Sequence, residues 1–178
     1  MIPKRISRKV LYKSKWIDLY IDKVLMPSGK IIEKYHVLDY PKESVAVLLT
    51  NKSNEICMIK TFRYTTQDIS WELPAGCVEK GEEILMAAER EVLEETGFTS
   101  NNLRPLFSFF PSNGMSNQKV HVILGNVKTF KGGIIDSDEV KEVVWLSESK
   151  ITQMIQKQEI TDGISLLPLL FFFNQLGR

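Results

Sequence analysis

The stretch Gly76–Phe98, GCVEKGEEILMAAEREVLEETGF, constrains this chain more than any other. Residues 82–96 carry no proline or glycine and are rich in Glu, Ala and Leu, so they predict a helix, with Gly97 as its C-terminal stop. Six glutamates (82, 83, 89, 91, 94, 95) share this helix with one arginine, Arg90. At about 100° per residue, Glu94 lies about 60° to one side of Glu91 and Glu95 about 40° to the other. Three carboxylates thus crowd one arc at the C-terminal end of the helix, where the macrodipole disfavours negative charge.

The plainer reading is a solvated acidic face. Three features count against it. Solvated helices usually alternate charge at i,i+4, and this one stacks a single sign. Glu89 interrupts the apolar stripe from Leu85 to Val92, and Ala87 and Ala88 are expected to leave space above the helix. Crowded oxygen-only ligands suit a hard divalent cation, Mg²⁺ or Mn²⁺, whose charge would relieve the repulsion and could neutralise a phosphate.

The rest of the chain sets the background. Its 178 residues fit one domain, or one domain with an appended subdomain. Lys plus Arg is 23 and Asp plus Glu is 22, a balance with no basic footprint for nucleic acid. Two cysteines make no disulfide framework and read as reduced thiols of a cytoplasmic protein. The start, MIPKRISRKV, lacks the apolar centre of a signal peptide. Gly163–Gly177, interrupted by Pro168, is too short to span a bilayer. Residues 16–40 read as a strand pair turning at Met26–Lys30; strands are also expected at 44–50, 55–61, 106–110, 120–127 and 142–146. Further helices are expected at 147–157 and 163–176, the latter kinked or delayed by Pro168. Without a βαβ rhythm, the fold class is α+β with an antiparallel or mixed sheet.

The spacing Gly76, five residues, Glu82, seven residues, then Arg90-Glu91-Val92-Leu93-Glu94-Glu95-Thr96-Gly97-Phe98 resembles the Nudix box, G-x5-E-x7-R-E-U-x-E-E-x-G-U, at every fixed position. The resemblance implies an α/β/α sandwich around a mixed sheet. It implies Mg²⁺-dependent hydrolysis of a nucleoside diphosphate linked to another group. Glu91, Glu94 and Glu95, with the backbone carbonyl of Ala75, would be metal ligands. Arg90 would orient the glutamates, and Glu82 would join the same polar network.

Beyond the box, the chain resembles the ADP-ribose and ADP-sugar pyrophosphatase branch from about Trp16 onward. Trp71-Glu72-Leu73-Pro74-Ala75-Gly76 is similar to that branch's entry into the box, which makes Glu72 a substrate-binding candidate. Phe62-Arg63-Tyr64 matches a segment whose arginine contacts substrate, and Phe110-Pro111-Ser112-Asn113-Gly114 a loop following the box. Asp138-Glu139 matches an acidic loop that supplies the general base. Read alone, Arg63 is a surface arginine, Pro111 and Gly114 a turn, and Glu139 one acid in a polar loop. The domain boundary implied is residues 1–42 as an antiparallel strand subdomain that builds a homodimer, then 43–178 as the hydrolase domain. The loop departs from the branch at Ser116-Asn117-Gln118-Lys119, where amides stand in place of carboxylates; this bears on the metal count or the sugar preferred.

The expected activity is therefore Mg²⁺-dependent cleavage of a small nucleotide, ADP-ribose to AMP and ribose 5-phosphate, with Glu139 as base, Arg90 and Glu94 in the catalytic cluster, and no nucleic-acid or membrane partner. Another nucleotide sugar, a dinucleotide or a modified triphosphate stays open as substrate. So does a sensor module that binds a nucleotide without cleaving it, although such modules commonly lose box glutamates and this chain keeps all of them.

Overall fold

The computed structural model describes residues 2–133 and 138–176. They divide into two compact units. The first runs to Glu43 and includes Phe110–Lys119; the second holds Ser44–Phe109 and the described residues from Val120 onward.

The first unit is a three-stranded antiparallel sheet in the order β1 (Lys4–Tyr12), β2 (Asp18–Leu25), β3 (Ile31–Asp39). The β2–β3 pair follows the alternation and turn residues of the sequence, with Gly29 at φ 84° in the turn. Strand β1 was not expected, because its charged alternation, KRISRKVLY, lacks a continuous apolar face. All nine of its residues are exposed, and basic side chains are a common feature of such edges. The buried side of β2 alternates acids with apolar residues, Asp18, Tyr20, Asp22 and Val24. Arg8 makes a two-pronged contact with the buried Asp22, at 2.8 Å from each oxygen, while stacking 4.0 Å above the Tyr20 ring. That guanidinium holds the Asp22 carboxyl below its usual range.

The second unit is a seven-stranded mixed sheet with helices on both faces. Its central path is β10 (Val140–Leu146), β5 (Ile56–Arg63), β4 (Ser44–Thr50), β9 (Val120–Phe130), β8 (Phe98–Phe109). Two short strands, β6 (Asp68–Glu72) and β7 (Ala75–Cys77), add to β5 and β4. Among the described strands of this sheet, only β4 and β9 run parallel. Neither β6 nor β7 was expected, since each is short and Pro74 lies between them.

Strand β4 explains the layering. Its run SVAVLLT is apolar throughout because both faces are covered. Val45, Val47 and Leu49 pack with Cys57 and Ile123 against helix α1 (Ile84–Thr96). Leu48, on the alternate face, packs with Met58 and Val122 against α2 (Glu148–Gln156) and α3 (Gly163–Leu176). Ile151, Met154 and Leu169 are the helical side of that second cluster. Helix α3 starts at Gly163 without delay and keeps Pro168 inside it.

Helix α1 corrects two expectations. Ala87 and Ala88 do not open space above the helix. They are fully buried, and their small side chains let α1 approach the sheet closely. Leu85 is exposed instead, so the buried stripe is Ala87, Ala88, Val92, Glu95 and Thr96. A glutamate is thus part of the inward face.

Candidate active site

The loop into α1 is built on β7, which pairs antiparallel with β4 through Ala75–Ala46, Gly76–Val45 and Cys77–Ser44. Glycine at position 76 leaves room for a side chain of the helix. A Cβ there would overlap the Glu91 carboxyl. Gly97 is more tightly constrained: it ends α1 at φ 72°, its N–H returns to the Leu93 carbonyl, and a Cβ there would overlap the backbone of Gly132.

Arg90 stands at the centre of the acidic cluster. Its Nε and Nη2 each donate to a Glu82 oxygen at 2.9 Å. Its Nη1 donates to Glu91 at 2.7 Å and to Glu94 at 3.0 Å, and Nη2 also reaches the Cys77 carbonyl at 2.8 Å. One planar fork thus ties the loop and three carboxylates together, which a lysine could not do. The contact holds Glu82 below the usual carboxylate range.

Glu95 lies apart from that fork. It is only 7% exposed, and its Oε2 accepts the Ala75 N–H at 2.9 Å. Burial pushes its carboxyl up to about 8, against the pull of that N–H, with the negative charge of Glu91 adding to the rise. Burial also raises Glu91, opposed by Arg90.

Arg63, Glu72 and Glu139 form a second polar group. Arg63 Nε donates to both oxygens of the buried Glu72 at 3.1 and 3.2 Å, and Nη2 donates to one of them at 2.6 Å. Nη1 reaches Glu139 at 3.2 Å. Both carboxylates keep the guanidinium charged, Glu72 foremost. Arg63, Glu72, Ala75, Gly76 and Asp162 line one cleft of about 270 Å³.

The structure therefore gathers Glu82, Arg90, Glu91 and Glu94 in one network, joins Ala75 to Glu95, and sets Glu72 and Glu139 on Arg63. It does not bring Pro111 and Gly114 into this unit. They are exposed in the first unit, where the Tyr35 hydroxyl donates to the Gly114 carbonyl at 2.8 Å. The amide at Asn117 has a local use there: it donates to Asp39 at 2.7 Å and accepts the Tyr40 N–H at 2.6 Å. An ionised carboxylate could not make the first of these bonds. His121 is a buried strand residue bonded to Ser108 at 2.8 Å.

Among the described residues, no three acidic, histidine or cysteine side chains converge as a ready metal cage. Glu91 and Glu94 turn to Arg90, and Glu95 to Ala75. The residues nonetheless fit a hard divalent cation. The donors are all oxygens, and the buried Glu95 and half-buried Glu91 carry a desolvation cost that positive charge would offset.

Sequence reasoning missed Asp162 and Ser165. Asp162 Oδ2 accepts both the N–H and the hydroxyl of Ser165, at 2.9 and 2.8 Å, and Ser165 Oγ accepts the Leu73 N–H at 2.9 Å. Aspartate just before a helix is readable as a cap. Nothing local shows that this cap reaches a loop so far back in the chain.

Comparison with known proteins gives the family of the chain. Residues 40–165 match the NUDIX domain, and residues 3–38 match the nucleoside diphosphate sugar hydrolase N-terminal domain. An ADP-ribose pyrophosphatase of Bacillus subtilis is 34% identical over 162 residues, 90% of this chain and 86% of the relative. A methanol dehydrogenase activator of Bacillus methanolicus is 27% identical over 170 residues, 94% of this chain and 91% of the relative. A crystal structure described as an ADP compounds hydrolase superposes with a TM-score of 0.87 at 14% identity, covering 99% of this chain and 95% of the other, and so shares the fold. With the box complete and the NUDIX match spanning most of its length, the chain belongs to the NUDIX family.

Proposed function

We propose that this protein is an enzyme that hydrolyses the pyrophosphate bond of a nucleoside diphosphate sugar, converting ADP-ribose to AMP and ribose 5-phosphate. The observation that carries this reading is the Arg90-centred carboxylate cluster of a complete box, in a chain similar to an ADP-ribose pyrophosphatase over most of its length.

Glu91, Glu94, Glu95 and the Ala75 carbonyl would hold Mg²⁺, or Mn²⁺ in its place, which when bound neutralises pyrophosphate charge and acidifies water. Arg90 keeps Glu91 and Glu94 in register with the loop, and Glu82 holds Arg90. Arg63, fixed by Glu72, offers a charge-assisted contact to a phosphate oxygen. An arriving phosphate competes with Glu139 for that guanidinium. Glu139 accepts the proton of the attacking water as the bond from phosphorus to the bridging oxygen breaks and the second phosphate leaves. Pro111 and Gly114 belong to the substrate contacts by resemblance alone.

We assign a homodimer built through residues 1–42. The exposed Ile6, Val10, Leu11 and Tyr12 of β1 support it, at 51%, 50%, 44% and 56% exposure. A cytoplasmic setting goes with the two-cysteine composition. The decisive experiment is product identification by mass spectrometry from ADP-ribose, ADP-glucose, GDP-mannose, NADH and triphosphates, with and without Mg²⁺. AMP and ribose 5-phosphate formed only with Mg²⁺ support the reading; no cleavage of any diphosphate overturns it.

A further inference from the structure

The corner between β6 and β7 carries Glu72 and Ala75 on one short segment. Its backbone groups are held by three separate parts of the fold. The Pro74 carbonyl accepts the Val47 N–H at 2.8 Å, the Ala75 N–H goes to Glu95, and the Leu73 N–H goes to Ser165. Pro74 has no N–H to give, so Leu73 and Ala75 supply this corner's outward donors. The Leu73 side chain is 1% exposed and packs in the cluster beneath α2 and α3. An unpaired N–H at such a depth would be costly.

Ser165 is 1% exposed. Its hydroxyl donates to Asp162 and accepts from Leu73, and the first bond strengthens the second by polarising the oxygen. Asp162 also caps α3, since its backbone carbonyl accepts the Leu166 N–H at 2.9 Å. Asp162 is among the residues lining the same cleft as Arg63, Glu72 and Ala75.

We infer that Ser165, held by Asp162, is a positioning residue for the metal-binding corner, so that the C-terminal helix fixes the Leu73–Ala75 backbone and with it the Ala75 carbonyl. The inference rests on the reading of that carbonyl as a metal ligand. Capping alone would need only Asp162. The hydroxyl of Ser165 adds a bond across 92 residues of sequence separation that does nothing for the helix itself.

The test is a calorimetric Mg²⁺ titration of the full chain without substrate, alongside steady-state kinetics at saturating Mg²⁺. Ser165→Ala should weaken Mg²⁺ binding about tenfold, the scale of losses seen when groups behind metal ligands are removed. The nucleotide KM should stay unchanged. Met154→Ala, in the same core cluster, should lower the melting temperature without altering Mg²⁺ affinity. Should Ser165→Ala fail to fold, Ser165→Cys keeps the side-chain shape with a slightly larger and weaker acceptor and should give an intermediate loss. If Ser165→Ala binds Mg²⁺ as the wild type does, or if Met154→Ala weakens binding equally, the inference fails and the metal reading survives. If the wild type itself takes up no Mg²⁺, the metal reading is at fault and the inference goes with it.

Discussion

Glu95 is the side chain whose titration reports most directly on the site, and Glu95→Gln isolates it. Its carboxyl is pushed up to about 8 from 4.5 because the folded chain buries it. Each pH unit of that displacement corresponds to about 1.4 kcal/mol. Ionising Glu95 therefore costs the metal-free fold at most about 5 kcal/mol. The sign follows from linkage: the folded state holds the proton more tightly than the unfolded chain. Stability is thus full below the unfolded value and is lost as pH rises through about 8. Glutamine carries no charge at any pH and keeps an oxygen for the Ala75 N–H. Thermal melts in chelator between pH 5 and 9 should show the wild type losing on the order of 10 °C relative to Glu95→Gln, at about 2–4 °C per kcal/mol for a chain of this size. Mg²⁺ should raise the melting temperature of the wild type at high pH by more than it raises that of the variant. Parallel pH profiles for the two proteins would refute the burial argument.

Three further outcomes are expected. Glu139→Gln should lower kcat about 100-fold or more while Mg²⁺ affinity by calorimetry is unchanged. Gly76→Ala should weaken Mg²⁺ binding about 10–100-fold, because the added methyl displaces the Glu91 carboxyl; wild-type affinity would show that Glu91 is not placed by this contact. Asn117→Asp should destabilise the fold by about 1 kcal/mol in denaturant melts, through lost donation to Asp39 and like-charge repulsion, and added salt should shrink the effect.

The glutamate spacing on α1, the glycine that ends it, and the two-faced apolar run of β4 are legible in the sequence, because helical and strand periodicity and a left-handed cap act within a few residues. The box was legible for the same reason, since its members lie on one loop and one helix. Which way α1 faces was not. Leu85 looked like the buried residue, but the closeness of α1 to the sheet selects the smaller Ala87 and Ala88 and buries Glu95. The charged β1 escaped detection because only pairing with β2 makes it a strand.

Local sequence thus determined the acidic helix, its stop and the chemistry of its oxygens. Tertiary structure alone decided that Arg63 would meet Glu72 and Glu139, that Gly76 would make room for Glu91, and that Ser165 would bond Leu73. Those contacts join segments far apart in the chain. They exist because sheet register and helix packing carry backbone groups to places that no local preference specifies.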